Sequence, residues 1–444
     1  MKTGFFEKDI TPPVGTYMVG YTRDKGCEGI ADPLFLRVVA LEDKAGEKAV
    51  LVTADILKFP ADMSWRTKMW CARNMGLKSS AVLLNSSHTH CGPALSPSPM
   101  SIGVPINIDY VEKLEYSIRE GIKSALNDLK PVKMRFGIHQ SHFGINRRLP
   151  DPELGGKVRW LRPHEKGYYD PDLPVIAFYD KSRNKLQAVL YGYGCHPTSK
   201  AGYNISADYP GGISRGLKKE LGKDVFTIFA QGAGGNVKPR FYDKEKKLFV
   251  SATPDEVNEL GLKIAREISS FISSGDMQDL ELKLGSAEKE FIIPCDAEKI
   301  PSQAEFLKLC DATNVDPADT SGDYAQKVRT WARIMHEKMR TNTLEKGVTM
   351  HLAKINLNEQ VQIIGLSGEI TAEIGKMIKD ACRDKKIIFF GYCSYAGFYV
   401  PTSTMIDEGG YESLSSLYYT GKMPAPFVKD IDDIIKREVM ELSV

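Results

Sequence analysis

The stretch Ala81-Val-Leu-Leu-Asn85-Ser-Ser-His88-Thr-His90-Cys-Gly-Pro93 runs from a short apolar segment into a polar end that carries two histidines. A short apolar run bounded by turn residues reads as a buried strand. In an extended chain the side chains at i and i+2 point to one face, so both imidazoles are expected to reach one site. An HxH at a strand end is a frequent zinc arrangement because neutral imidazole is a strong borderline ligand; the alternative is two polar residues in a surface turn.

The same design recurs outward from this stretch. Residues 35–41 alternate, 49–55 (AVLVTAD) again end in a polar residue, and 174–179, 187–193, 225–230 and 361–366 read as buried strands. Helical spacing is seen over 61–75, 110–129 and 254–274, and over a polar stretch at 303–345 with a turn-rich interruption near 316–323. Mixed strands and helices favour an α/β or α+β fold, a mixed sheet core flanked by helices, with chemistry where strands end. No repeat or long linker marks a boundary, so residues 1–444 are expected to form one domain with a helical insertion near 300–345.

His196, in Tyr193-Gly-Cys-His-Pro-Thr-Ser199, also follows an apolar run; a structural histidine is the alternative. The loop Ala230-Gln-Gly-Ala-Gly-Gly-Asn-Val-Lys-Pro-Arg240 follows the strand at 225–230, and its glycines would let backbone amides turn toward a ligand oxygen. It is neither a P-loop nor a dinucleotide fingerprint. His164-Glu165 and His336-Glu337 lack the second histidine at i+4 that a metalloprotease motif needs.

Composition excludes other classes. The 59 Lys plus Arg nearly balance the 57 Asp plus Glu, so no overall field draws the chain to nucleic acid or an anionic membrane. No apolar run approaches the roughly 20 residues of a membrane helix, and the first residues lack a secretory h-region, so a cytoplasmic location is expected from the chain as written. Eight scattered cysteines without a CxxC read as free thiols.

Five segments in order, HTHCGP, GCHPTS, AQGAGGNVKP, LSGEIT (366–371) and YAGFYVPT…GGYES (395–413), resemble the motifs of the neutral ceramidase superfamily. GFFEKDITPPVG and GIADPLFLRVVAL extend the resemblance toward the start of the chain. The resemblance implies a ceramidase-like catalytic domain with one zinc ion per chain, held by His88, His196, Glu369 and Tyr399. It places Tyr411, twelve positions after Tyr399, against the scissile group, and Asn146-Arg147 at the family's NR motif. His90 is suited to holding or deprotonating the attacking water, while Gly234, Gly235, Asn236, Lys238 and Arg240 form the substrate or oxyanion loop.

Two departures bear on substrate. The family's loop ends Ser-Pro-Asn, whereas this chain has Lys238-Pro239-Arg240, and a lysine replaces a hydroxyl in neither size nor charge. Two cations at a site mouth would favour a carboxylate, phosphate or sulfate. The family's C-terminal β-sandwich domain is not expected from the sequence as written. The expectation is therefore a zinc amidohydrolase or esterase acting on a small polar or anionic acylated substrate. The alternatives are a true ceramidase or a zinc-containing binding protein without turnover. Other divalent first-row ions also suit such ligands, and the sequence leaves the oligomeric state open.

Overall fold

The computed structural model describes residues 1–97, 104–158, 160–312 and 324–444. Eight strands of a mixed nine-stranded sheet run in the order Phe226–Gln231, Leu186–Tyr193, Asp172–Asp180, Lys130–Gln140, Lys2–Asp9, Phe35–Glu42, Lys48–Ala54 and Val82–Ser86. Gln278–Asp279 adds to Lys130–Gln140. The outermost pair at each end is parallel and the others are antiparallel. A second sheet of four strands runs Gly285–Pro294, Gly347–Asn356, Val361–Leu366 and Lys386–Phe390.

The two sheets pack face to face, which the sequence did not reveal. In Phe35–Glu42, Leu36, Val38 and Ala40 point to one side and meet Met63 and Cys71 of helix Ala61–Met75 and Ile118 and Ile122 of helix Ile108–Asn127. Val39 and Leu41 point to the other side, with Leu51, and meet Ala353, Ile355, Ile363 and Ile388 of the second sheet. Strands buried on both faces need apolar residues throughout, hence the near-continuous apolar runs. Further along the large sheet, Val175, Ala177 and Val189 are covered by Ile213 and Leu217 of Asp208–Leu221 and Ile264 and Ile268 of Pro254–Ser274. The outer face of the second sheet carries helices Ala372–Ala381 and Ile431–Glu441 through Ile374, Ile378, Ile431 and Ile435. The result is four layers: helix, sheet, sheet, helix.

The polar segment expected to be helical contains Gln303–Cys310, opened by a Ser302–Glu305 capping box, and Tyr324–Arg340. Phe306, Trp331 and Met335 join them, and Trp331 Nε1 donates to the Met423 carbonyl at 2.8 Å. The interruption near 316–323 lies outside the described residues.

The first and last strands of the large sheet also meet. Asn85, in Val82–Ser86, accepts from Gln231 N at 2.8 Å, and its Nδ2 donates to the carbonyls of Gln231 at 3.2 Å and Gly391 at 2.7 Å. One fully buried amide thus joins both ends of the large sheet to the loop after Lys386–Phe390. Replacing it with leucine strands the Gln231 N–H and carbonyl and leaves the Gly391 carbonyl only the Cys393 thiol at 3.3 Å, at about 1–3 kcal/mol for each group left unpaired. Asn85→Leu is expected to lower the unfolding free energy by about 2–5 kcal/mol in urea titration; a loss below about 1 kcal/mol would show the bridge to be dispensable.

Candidate metal centre

Three histidines arrive from strand ends. After Val82–Ser86 the chain turns at His88, whose φ of 67° lies in the left-handed region, so the segment is not extended where strand parity would have aimed the pair. The turn brings both rings to one place by another route: the His88 and His90 centroids are 5.1 Å apart, and that of His196, beyond Leu186–Tyr193, is 5.0 and 5.7 Å from them. The ligand atoms of the three lie within 4.8 Å of one another. Glu369 and Tyr399 come from the second-sheet side, paired by a short parallel bridge, Glu369 with Tyr399 and Ile370 with Val400.

The ring orientations follow from what holds them. His88 Nδ1 is 2.7 Å from the Leu57 carbonyl and His196 Nδ1 is 2.6 Å from the Gly234 carbonyl. A carbonyl only accepts, so each Nδ1 carries the proton and each Nε2 presents a lone pair. Both Nε2 atoms lie 3.2 Å from Glu369 Oε2, and that of His196 lies 3.1 Å from the Tyr399 hydroxyl. Two imidazole lone pairs facing a carboxylate repel unless positive charge lies between them. His90 adds a ring whose two nitrogens are buried without a hydrogen-bond partner. Nitrogen donors with a carboxylate and a phenol, each imidazole fixed through its far nitrogen, fit a divalent first-row cation.

Charge states agree with this donor set. Burial, then the neighbouring His88 and His196, hold His90 well below the usual imidazole range. Burial, then the Arg147 guanidinium, push His196 down to about 4. Burial alone would raise Glu369, but positive charge at the His88 and His196 face holds it well below the carboxylate range, and neutral imidazoles supply that charge only with a cation between them. Burial, reinforced by Glu369, raises the Tyr399 phenol.

Arg147 is buried beside the centre. Its Nε donates to Glu412 Oε1 at 2.7 Å and its Nη2 to the Tyr399 hydroxyl at 3.1 Å, while Arg148 Nη1 holds Glu412 Oε2 at 2.7 Å. The Tyr411 ring stands 5.3 Å from Tyr399 and 5.6 Å from Trp160, with the Arg147 guanidinium 5.7 Å from its centroid. Sequence reasoning missed Glu412, Tyr392, 4.4 Å from the His88 ring, and Tyr21, 4.9 Å from His90. Glu412 had one available signal: adjacent Arg147 and Arg148 in a loop that is buried need a carboxylate.

The glycine loop acts differently from the expectation. Gly235 N is committed to the Ile370 carbonyl at 2.7 Å and Gly232 N to that of Tyr193 at 3.0 Å. A Cβ on Gly234 would stand 2.6 Å from Cys195 N, and one on Gly235 2.7 Å from the Glu369 carbonyl. These glycines let the loop wedge between the His196 and Glu369 segments. Asn236 accepts from Ala372 N at 2.8 Å and donates to Glu373 at 2.7 Å. Lys238 stands over Phe249 at 4.6 Å, pushed down to about 8 by burial and then by Arg147. Arg240 does not reach a site mouth: it is exposed, with Nε on the His142 carbonyl at 2.9 Å and its guanidinium over Tyr169.

A cavity of about 60 Å³ opens onto His88 and Glu369, bounded by Gly20, Lys58, Leu95, Gly397 and Thr420. A larger groove, about 670 Å³, runs along Ile10 and helix Ile108–Asn127 and contains none of the residues of the centre.

The architecture around this centre is a neutral ceramidase-like α/β fold. Over 99% of its length the chain is similar, at 19% identity, to neutral ceramidase from Pseudomonas aeruginosa, with a TM-score of 0.74 and 73% of that chain covered. A ceramidase complexed with C2 gives 19% identity and a TM-score of 0.76, over 99% of this chain and 74% of that one. No protein-family model matches the chain, and no curated protein matches it.

The depressed imidazoles set an acid limit. The unfolded chain binds protons near 6.5, whereas folded His196 refuses them until about 4. The stability from its neutral form is therefore complete above 6.5 and is lost as pH falls toward 4. Chelator-stripped protein should lose about 1.4 kcal/mol per pH unit for each such histidine across this window. Urea titrations from pH 7 to 4.5 should show a shallower slope in His196→Gln; equal slopes would refute the burial-driven shift.

Proposed function

We propose that the chain is a zinc-dependent hydrolase that cleaves an amide or ester in a small polar or anionic acylated substrate. His88, His196, Glu369 and Tyr399 hold one zinc ion per chain. The observation that carries this reading is the convergence of two pinned imidazole lone pairs on Glu369 Oε2, each at 3.2 Å, beside the unpartnered ring of His90. Bound there, zinc supplies Lewis acidity to an acyl carbonyl and lowers the pKa of water from about 15.7 toward 7.

The chain's own residues do the rest. His90, neutral at pH 7 and free at both nitrogens, accepts the proton of the attacking water and returns it to the leaving group. The Tyr411 hydroxyl donates to the developing oxyanion from a ring held by Tyr399, Trp160 and Arg147. Arg147, itself held by Glu412, fixes the Tyr399 hydroxyl and offsets the negative charge of the ligand set.

Site size favours a small substrate. The cavity of about 60 Å³ beside His88 is far below the ~300–1,000 Å³ typical of pockets for drug-sized ligands, and a lysine lines it. The second reading, N-acylsphingosine hydrolysis, rests on the fold shared with the ceramidases. Lys238 at the position of the family's serine, together with the cavity, counts against it.

Elemental analysis of purified wild type should give one zinc per chain, absent in His196→Ala. His90→Ala should keep the zinc and lose about 10²–10⁴ in kcat on whichever member of an amide and ester panel the wild type cleaves. Turnover of N-acylsphingosine in detergent above that of small acyl compounds would restore the ceramidase reading. Zinc without any turnover would leave a binding protein, and no metal in either form would sink the mechanism.

A further inference from the structure

We infer that Lys58 and Lys422 form an oxyanion-binding pair at the mouth of the metal centre, which takes a carboxylate, phosphoryl or sulfuryl group. As a substrate subsite it rests on the hydrolase reading, whereas binding of the anion does not.

The two side chains come from opposite ends of the sequence. Lys58 follows Leu57, whose carbonyl fixes His88, and lines the same cavity as His88 and Glu369. Lys422 follows the helix Ser416–Thr420, whose last residue, Thr420, also borders that cavity. Both ammonium groups converge on Gly397: a Cβ there would stand 3.2 Å from Lys58 Nζ and 3.3 Å from Lys422 Nζ. Glycine leaves that point open, and it is where a ligand oxygen could contact both nitrogens.

Among the described residues, neither lysine makes an ion pair or a side-chain hydrogen bond. Lys58 is half-buried and Lys422 exposed, whereas Lys68, Lys200 and Lys379 are paired, with Glu288 at 2.6 Å, Asp32 at 3.5 Å and Asp170 at 2.7 Å. The nearby arginines are already engaged, Arg147 with Glu412 and Arg23 with the carbonyls of Gly202 and His90. Glu369, the one carboxylate among the described lining residues, has Oε2 turned to the histidines. Two like charges brought together destabilise each other, and the carboxylates that act on them, Glu369 on Lys58 and Glu345 on Lys422, form no ion pair with them. Burial, then the neighbouring Lys422, push Lys58 down to about 8. An anion between them relieves this, and because ammonium is a point charge it accepts a planar or a tetrahedral oxyanion alike.

The test uses the zinc-loaded full chain at low ionic strength, with glutarate and inorganic phosphate as probes in calorimetric titration. Matched esters, 4-nitrophenyl hydrogen glutarate and 4-nitrophenyl acetate, report selectivity. Lys58→Gln, Lys422→Gln and Gly397→Val should each weaken binding of at least one probe by about ten-fold or more, with zinc content unchanged. They should also lower the ratio of kcat/KM for the anionic over the neutral ester. Lys58→Arg and Lys422→Arg should restore both. Preference for glutarate or for phosphate distinguishes a carboxylate from a phosphoryl ligand. Probe affinity unchanged in both glutamine variants means that the metal alone holds the anion, and overturns the inference. Lysine-dependent binding with neither ester cleaved upholds the pair and removes the hydrolase reading instead.

Discussion

Asn85 joins segments that are remote in the strand order, and the placement of His88 and His196 hangs on what it joins. Its amide pairs with Gln231 in both directions and holds the Gly391 carbonyl. Gln231 Nε2 in turn donates to the Cys195 carbonyl at 2.7 Å, with the Tyr209 hydroxyl on the same oxygen at 2.6 Å, immediately before His196. Gly391 precedes Tyr392, whose ring packs on His88. A single buried amide thus sets the strand of the HxH pair against the loops that place His196 and orient His88.

Electrostatics at the centre runs outward in layers. Neutral imidazoles and a carboxylate face inward; Arg147 sits against the Tyr399 hydroxyl, Glu412 neutralises Arg147, and Arg148 neutralises Glu412. Each buried charge in this row is answered by the next, as a low-dielectric interior requires. The inward group ends on lone pairs, which a cation would complete. The same logic explains why Tyr399, whose phenol burial keeps protonated, needs either that cation or Arg147 to carry partial negative charge.

How much was legible depended on whether one segment or several made the feature. Phe35–Glu42, buried on both faces, read as alternating because Arg37 interrupts it, whereas Val361–Leu366, also buried on both faces, announced itself as an apolar run. Gly285–Pro294 and Lys2–Asp9 did not, because only part of each is buried and their charges interrupt the pattern; with the former went half of the clue that a second sheet exists. The histidines were visible as residues at strand ends, yet the argument from strand parity failed at His88, where the backbone turns left-handed. The glycine loop was found, but the use of Gly234 and Gly235 depends on what presses against them, and that is tertiary. Arg240 was expected at the mouth as part of the Lys-Pro-Arg that stands where the family has Ser-Pro-Asn; its guanidinium lies over Tyr169 instead.

The distinction between the interior of the site and its mouth follows from the same contrast. The interior is built from short segments, each with its own sequence signature, because metal ligation demands fixed donor types at fixed distances. The mouth is assembled from single side chains contributed by distant segments, which must only supply charge and space. Lys58 and Lys422 therefore carry no motif, and only the absence of a side chain at Gly397 lets them share one point. A fold common to ceramidases can accordingly retain its catalytic geometry while the groups around the opening change what is admitted. On the hydrolase reading, charge at that opening, more than the donor set beneath it, would select the substrate.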